Sequence, residues 1–175
     1  CSRSFGKAVE TLDVLRESVT TYLATAAEKL RHQQSVAGAV YVFVMTNRFK
    51  AEEPQYNASI TVPLAEPTDD TRVLTHAALK GLDAIYRTGF RYKKAGVLLT
   101  LLSDKNSRQS TLFEDPVARE KSSRLMAAID AINHTFGRGT VRCGTSGVAQ
   151  GWAMRAGNRS PHYTTRWEEL PVVGT

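Results

Sequence analysis

Histidines, a cysteine and paired acids are the side chains here that could support nucleophilic or metal chemistry, and their spacing does not favour it. Three of the four histidines fall on polar helix faces or near a helix end, where solvation explains them: His32, His76 and His134. Cys143 has no local sequence that supports a histidine partner and a nucleophilic role. Glu52-Glu53 and Asp69-Asp70 are adjacent pairs, which point apart on a strand and make poor two-metal ligands. The sequence predicts no catalytic residue, no metal and no cofactor.

Basic and small polar side chains cluster at the ends of predicted strands, where they could bind phosphate. Arginine, lysine and hydroxyl groups contact phosphate oxygens and provide affinity without reading base sequence. Charge alone does not distinguish this from the ordinary surface of a basic protein. The predicted DNA-contacting residues are Arg3, Ser4, Arg48, Lys93 and Lys94.

A short peptide, Gln109-Ser110-Thr111-Leu112-Phe113, carries two adjacent large apolar residues between two structured regions. Exposed apolar side chains in a linker are normally avoided, and such anchors usually fill pockets on a partner. The alternative is that they pack on their own domain. The pattern Gln-x-x-Leu-Phe resembles the peptide by which bacterial polymerases hold the sliding clamp. The predicted clamp-binding residues are Gln109, Leu112 and Phe113.

Length and composition allow one ordinary domain, or a smaller domain with an appended module. The chain has 175 residues, 42% of them hydrophobic, with a net charge of +6 and a pI near 9.5. This charge favours a polyanionic partner. Cys1 and Cys143 form no metal-ligand spacing. A disulfide between them is one alternative, and the usual interpretation of two such distant cysteines is a reduced, intracellular protein. No apolar run reaches the length of a membrane span, and no signal peptide is evident. Because the chain begins at Cys1 inside strand-like sequence, we expect a fragment of a longer polypeptide.

Hydrophobic periodicity predicts the elements that position these residues. Apolar residues recur at helical spacing from Leu12 to Leu30 and from Leu74 to Ile85. Four segments have the composition of strands: 2–9, 38–46, 56–64 and 94–102. The second of them, 38–46, is apolar on both faces and is therefore predicted to be a central strand. Pro67 is expected to end the third, and Asp69 or Asp70 to cap the second helix.

The order of these elements is β-α-β-β-α-β within residues 1–104, which defines the α+β split βαβ arrangement. Two helices then cover one face of a four-stranded sheet. The other face is predicted to be open and polar, with side chains from all but the second strand: Ser2, Ser4, Asn57, Ser59, Thr61 and Lys94.

The rest of the chain is predicted to be a linker, residues 105–116, and a separately folding small module, residues 117–175. A helix from about Pro116 to Phe136 is followed by Gly137 in the position of a C-terminal glycine. Residues 140–143 and 151–154 are predicted to be two short strands forming a β-hairpin. The helix is expected to pack on this hairpin and on three aromatics: Trp152, Tyr163 and Trp167.

Several motifs resemble one family along the whole chain. They are Cys-Ser-Arg-Ser-Phe-Gly (1–6), Ala-Ala-Glu-Lys-Leu-Arg (26–31), Pro-Thr-Asp-Asp-Thr-Arg (67–72), Gly-Phe-Arg-Tyr-Lys-Lys-Ala-Gly-Val (89–97), Gly-Arg-Gly-Thr (137–140) and Ser-Pro-His-Tyr-Thr-Thr-Arg-Trp (160–167). These segments look like the C-terminal region of the UmuC family, the catalytic subunits of bacterial translesion DNA polymerase V within the Y family.

The resemblance implies a function in error-prone DNA synthesis during the SOS response. Residues 1–104 would be the little finger domain, which grips template-primer duplex, and residues 109–113 the clamp-binding peptide, with Ser110 where the family often has leucine. The magnesium-binding palm carboxylates would lie upstream of Cys1, so this stretch would not itself be catalytic. The implied partners are duplex DNA, the sliding clamp, and the UmuD′ dimer or RecA filament, in the bacterial cytoplasm at the nucleoid.

Two other functions compete with this one. A free-standing RNA-binding module on the same ferredoxin-like scaffold would need stacking aromatics on the fourth strand, which reads Ala-Gly-Val-Leu-Leu-Thr-Leu over residues 95–101. A protein-interaction adaptor would make the basic residues incidental. Salt-dependent DNA binding distinguishes the adaptor from a DNA-gripping domain.

Overall fold

The computed structural model of the chain describes residues 1–106, 115–148, 150–153 and 165–170. Its sheet has four antiparallel strands in the order β1-β4-β2-β3, so that β2 and β4 are central. The strands are β1 (Ser2–Val9), β2 (Ser35–Thr46), β3 (Asn57–Thr68) and β4 (Tyr92–Asp104). The predicted β-α-β-β-α-β order and the central position of the second strand are confirmed.

Two helices, α1 (Leu12–His32) and α2 (Thr71–Ile85), cover one face of the sheet. The apolar stripe of each helix contacts alternate residues of the central strands. This is the expected pattern, because side chains return to the same face about every 3.6 residues in a helix and every second residue in a strand. The core residues at 0% exposure include Leu15, Val19, Leu23, Leu74, Ala78, Leu82, Val40, Val42 and Val44. The predicted α+β layers are therefore confirmed.

The third strand is longer than its sequence predicts. It continues through Pro63 and Pro67 to Thr68, although Pro67 was expected to end it. Proline lacks the N–H that a ladder hydrogen bond needs, so it is tolerated only on an edge strand. Because β3 lies at the edge of the sheet, its prolines do not terminate it.

The helix α3 (Pro116–Phe136) contacts the first two helices through a partly buried ion pair. The Arg31 guanidinium donates to both carboxylate oxygens of Asp130, at 2.6 and 2.7 Å. It also donates to the Asp69 carbonyl oxygen and the Thr71 hydroxyl at 2.8 and 2.9 Å, and its side chain is only 10% exposed. Arg31 thus joins the end of α1, the start of α2 and the middle of α3.

Trp152 lies in the core of the first domain rather than against α3. It is 6% exposed, and its ring meets Phe5 and Tyr22 edge-on at centroid distances of 6.3 and 5.7 Å. Its indole N–H donates to Glu17, and its carbonyl accepts from the Gly6 N–H. Of the other aromatics expected beside α3, Trp167 is 87% exposed and Tyr163 lies outside the described residues.

The β-hairpin predicted after α3 is wrong for the residues that the structure describes. Residues 140–143 and 150–153 contain no strand, and a 3-10 helix, Gly144–Ser146, lies between them. The Asn133 side chain accepts from the Val141 N–H and donates to the Val141 carbonyl, both at 2.9 Å. These bonds take the place of a strand ladder at Val141, because a side-chain amide offers the same donor and acceptor as a backbone peptide.

Asp70 caps α2 and links it to α3. Its carboxylate accepts from the Arg72 N–H at 2.8 Å and from the Ser122 hydroxyl. Burial alone would raise the pKa of Asp70, but the hydrogen bonds from Arg72 and Ser122 outweigh it and hold the pKa below its ordinary value of 3.8. The folded state therefore gains stability from this carboxylate above that pH, and loses it as pH falls through the lowered pKa.

We predict that Asp70→Asn weakens the dependence of stability on acid pH. Denaturant unfolding from pH 7 down to pH 3 should show a larger loss of unfolding free energy for the unchanged chain than for the variant. Asp13→Asn is the matched control, because the Asp13 side chain is 91% exposed. Parallel acid profiles for the unchanged chain and Asp70→Asn would contradict the assigned contribution of Asp70.

Candidate nucleic-acid interface

The face of the sheet opposite the helices is assigned by strand register. Residues directly opposite each other on neighbouring strands point to the same face. Three rows follow from the pairing: Ser4-Lys94-Met45-Asn57, Ser2-Gly96-Phe43-Ser59, and Leu98-Tyr41-Thr61. All six residues predicted to lie on an open face are in these rows. We call the surface made by these three rows the open face.

The open face is less polar than predicted, because β2 contributes Tyr41, Phe43 and Met45 to its centre. The apolar sequence of β2 predicts burial on both faces, and it therefore does not indicate that these three residues lie at a surface. Leu98 on β4 is 55% exposed beside them. The face therefore has an apolar and aromatic centre, with hydroxyl and amide groups of the edge strands on either side.

Two of the predicted DNA-contacting cations have side chains that a ligand at this face could reach. Lys94 lies on the open face itself, with its ammonium nitrogen 5.9 Å from the Phe43 ring centroid. Arg48 is exposed just beyond the end of β2, with its guanidinium carbon 5.2 Å from the centroid of Phe49. Ser4 is exposed opposite Lys94 in the first row.

The structure places the other two predicted cations differently. Arg3 lies opposite Ala95, a core residue, so its side chain is on the same side of the sheet as the helices. It is nevertheless exposed, because β1 is an edge strand. The Lys93 ammonium donates to the Phe5 carbonyl at 2.7 Å, which holds the end of its side chain against β1. Arg3 therefore does not share the open face with Ser4 and Lys94, because β-strand side chains alternate between faces.

Other basic residues near these strand ends are neutralised by acids. Glu53 contacts Lys50 at 2.7 Å and Arg91 at 2.8 Å, and Arg91 also contacts Glu10. The hydrogen bond from Lys50, with the charge of Arg91, holds the pKa of Glu53 below its ordinary value. The three rows of the open face contain no Asp or Glu, so Lys94 has no acidic neighbour within them.

Neither a metal site nor a membrane-spanning helix is found among residues 1–106, 115–148, 150–153 and 165–170. No group of three or more His, Cys, Asp or Glu residues in these ranges could hold a metal ion. No helix there is long and apolar enough to span a membrane. The predicted clamp-binding residues Gln109, Leu112 and Phe113 lie outside the described residues.

Comparison with known proteins identifies two matching families. The model of the impB/mucB/samB family C-terminal domain matches residues 1–112, and a domain of unknown function, DUF4113, matches residues 123–173. Protein UmuC of Salmonella typhimurium is 42% identical over 97% of the chain, and protein MucB of Escherichia coli is 37% identical over 98%. DNA polymerase IV of Desulfatibacillum aliphaticivorans is 30% identical over 79%. The chain spans about 40% of the length of the first two relatives.

The fold and the open face define an α+β domain of the split βαβ class, with α1 and α2 on one face of its sheet and no helix of the described residues on the other. Within that class, the match over residues 1–112 is specific. The chain belongs to the impB/mucB/samB family and corresponds to the C-terminal region of UmuC-like proteins.

Proposed function

We propose that this chain is the DNA-gripping and clamp-tethering part of an error-prone translesion DNA polymerase that acts in SOS damage tolerance. The observation that carries the proposal is an uncovered sheet face with no acid and one central cation, in a member of the impB/mucB/samB family. A relative of the same domain is named DNA polymerase IV, which supports a polymerase as the parent. Nucleotidyl transfer would belong to the parent's magnesium-binding palm, outside this non-catalytic region.

The grip is proposed to act on the DNA backbone and to be independent of base sequence. Lys94 and Arg48 are the cations nearest the open face, while Arg3 would reach the backbone from the sheet edge. Ser4 offers a hydroxyl to a phosphate beside Lys94, and Lys93 is proposed to position β1 as well as add charge. Because the positive groups contact phosphates, affinity depends on the release of condensed counterions and falls with added salt.

The tether is proposed to use Gln109, Leu112 and Phe113. A peptide that holds a weakly processive enzyme on a sliding clamp makes re-engagement of DNA an intramolecular step. Effective concentrations for short flexible linkers are on the order of millimolar, so even a weak grip would remain occupied. We further propose the UmuD′ dimer and the RecA filament as partners of the parent polymerase, in the cytoplasm at the nucleoid.

We predict that neutralising Lys94 of the open face and Arg48, just beyond the end of β2, lowers the salt dependence of duplex binding. The double variant Arg48→Gln, Lys94→Gln should reduce the slope of log affinity against log salt by about two units, since each lost phosphate contact removes about one. Fluorescence anisotropy of a labelled duplex, titrated at several salt concentrations, measures this slope.

Lys80→Gln provides the matched control for charge. Lys80 is exposed on α2, on the other side of the sheet, so its loss changes the net charge without touching the open face. An equal effect of Lys80→Gln would show that the net charge, not the face, attracts DNA. Duplex affinity that is indifferent to salt would instead support the protein-interaction adaptor.

A further inference from the structure

The centre of the open face contains an aromatic ring whose position depends on a glycine. Phe43 pairs with Gly96 across β2 and β4. A Cβ at Gly96 would lie 2.5 and 2.6 Å from two carbons of the Phe43 ring, well inside contact distance. The ring therefore lies across the backbone of β4 instead of standing away from the sheet. No other residue type at position 96 would leave this space for it.

A second aromatic and a cation complete the arrangement. Tyr41 is on the same face two residues before Phe43, with ring centroids 6.1 Å apart and planes inclined at 37°. The Lys94 ammonium lies 5.9 Å from the Phe43 centroid, near the outer limit for a cation–π contact. No helix covers this side of the sheet, so these rings have no partner from a second layer in the described part of the chain.

The polar residues around the rings have unused hydrogen-bonding capacity. The side chains of Ser2, Ser4, Asn57, Ser59 and Thr61 are exposed, and none has a hydrogen bond within the described residues. A face that combines aromatic rings, free hydroxyl and amide groups, one lysine and no acid is complementary to a nucleotide. An apolar protein surface would leave these polar groups unpaired, which costs free energy.

We infer that the open face binds an unpaired base of single-stranded nucleic acid by stacking it on Phe43. Tyr41 offers a surface to the next base, Lys94 contacts the adjoining phosphate, and the flanking hydroxyl and amide groups contact base edges or sugar. Stacking requires a free base face, which a paired duplex does not present at its side. This inference rests on the proposed DNA binding and adds a second class of substrate to it, since phosphate contacts alone do not require aromatic rings.

Phe43→Leu in the full 175-residue chain tests the inference, because leucine keeps apolar volume and removes the stacking surface. We expect roughly tenfold weaker binding of an end-labelled oligothymidine, and less than about twofold change for a duplex without overhangs. The salt slope should stay the same for both, since no charge is lost. Phe136→Leu is the matched control, because Phe136 is 73% exposed at the end of α3, which packs on the helical side.

Two further variants distinguish loss of stacking from a general defect in folding. Phe43→Tyr should bind the oligothymidine like the unchanged chain, because tyrosine also stacks. Gly96→Ala should weaken that binding as Phe43→Leu does, because the added methyl lies too close to both the Phe43 ring and the Ser2 Cβ, so that the ring and β1 must shift. Thermal unfolding of each variant shows whether the fold is retained.

The outcomes distinguish the inference from the proposed function. If Phe43→Leu leaves oligothymidine binding unchanged while Lys94→Gln weakens the duplex, the face contacts phosphates only, and the stacking inference is overturned while the grip stands. If neither nucleic acid binds the unchanged chain, both proposals fail. If Phe43→Leu instead weakens binding to purified sliding clamp, the face docks a protein and the inference is overturned.

Discussion

Replacing Trp152 with alanine is expected to lower the free energy of unfolding by about 3–5 kcal/mol, the range for truncating a large aromatic in a core. Trp152 is 6% exposed and belongs to the same buried cluster as Phe5, Tyr22 and Leu23. Its removal would leave a cavity between β1 and α1, and would open the rings of Phe5 and Tyr22 to water. Chemical denaturation followed by circular dichroism measures the change.

The chain contains its own control for this substitution. It has two tryptophans, and Trp167 is 87% exposed, so Trp167→Ala should change the unfolding free energy by less than about 0.5 kcal/mol. Both variants replace tryptophan with alanine, so the comparison tests the effect of burial at the two positions. Equal stability of the two variants would mean that Trp152 does not occupy the core in solution.

The pKa of Tyr22 provides a second test of how Trp152 packs, because the two rings are in contact. Burial raises the pKa of Tyr22 to about 12, and the charge of Arg3 offsets part of this effect. Because the raised pKa keeps the phenol neutral, its contribution to stability is present below pH 10 and is lost as pH rises through about 12. In Trp152→Ala the Tyr22 pKa should fall toward its ordinary value, which alkaline titration of tyrosine absorbance detects.

The same contacts bear on the predicted division of the chain near residue 116. A chain ending at Asp115 loses Trp152 from the core and leaves the guanidinium of Arg31 without Asp130. Arg31 keeps its bonds to Asp69 and Thr71, but it loses both bonds to Asp130 together with the helix that covers it. Separate folding of residues 117–175 stays a prediction, and a chain ending at Asp115 is expected to unfold with a lower free energy than the unchanged chain because it lacks the Trp152 contacts.

The sequence predicts the sheet and its helices because their signals are local. Alternation in β3 and helical spacing in α1 and α2 each depend on residues within one element. The apolar run of β2 likewise indicates a central strand, as its position between β4 and β3 confirms. These features do not require knowledge of distant partners.

The positions of Trp152 and Phe43 were missed because they depend on contacts between distant parts of the chain. Trp152 meets Phe5 and Tyr22 more than 100 positions away, and nothing in its neighbouring residues indicates this. The position of Phe43 depends on Gly96, which becomes its neighbour only after β2 and β4 pair in the observed register. A glycine inside a strand pattern, opposite an aromatic, is the one signal that could have indicated a close approach.

Replacing both Leu112 and Phe113 with alanine is expected to weaken binding to purified sliding clamp by about 4 kcal/mol or more, roughly a thousandfold in Kd. Buried apolar anchors typically cost about 2 kcal/mol or more each when truncated. Gln109→Ala should have a smaller effect, because a polar residue at the edge of such a contact orients the peptide more than it fills a pocket. Surface plasmon resonance on immobilised clamp measures these affinities.

The variable positions of the peptide provide the internal controls for its anchors. Thr111→Ala should leave the affinity within about twofold, since the pattern Gln-x-x-Leu-Phe places no anchor there. Ser110→Leu should tighten binding, because the resemblance implies a leucine at this position in related peptides. The double alanine variant should keep the salt slope of duplex binding, since no cation is lost. Unchanged clamp affinity of that variant would mean that Leu112 and Phe113 pack on their own chain, and the tether would then have to be sought elsewhere.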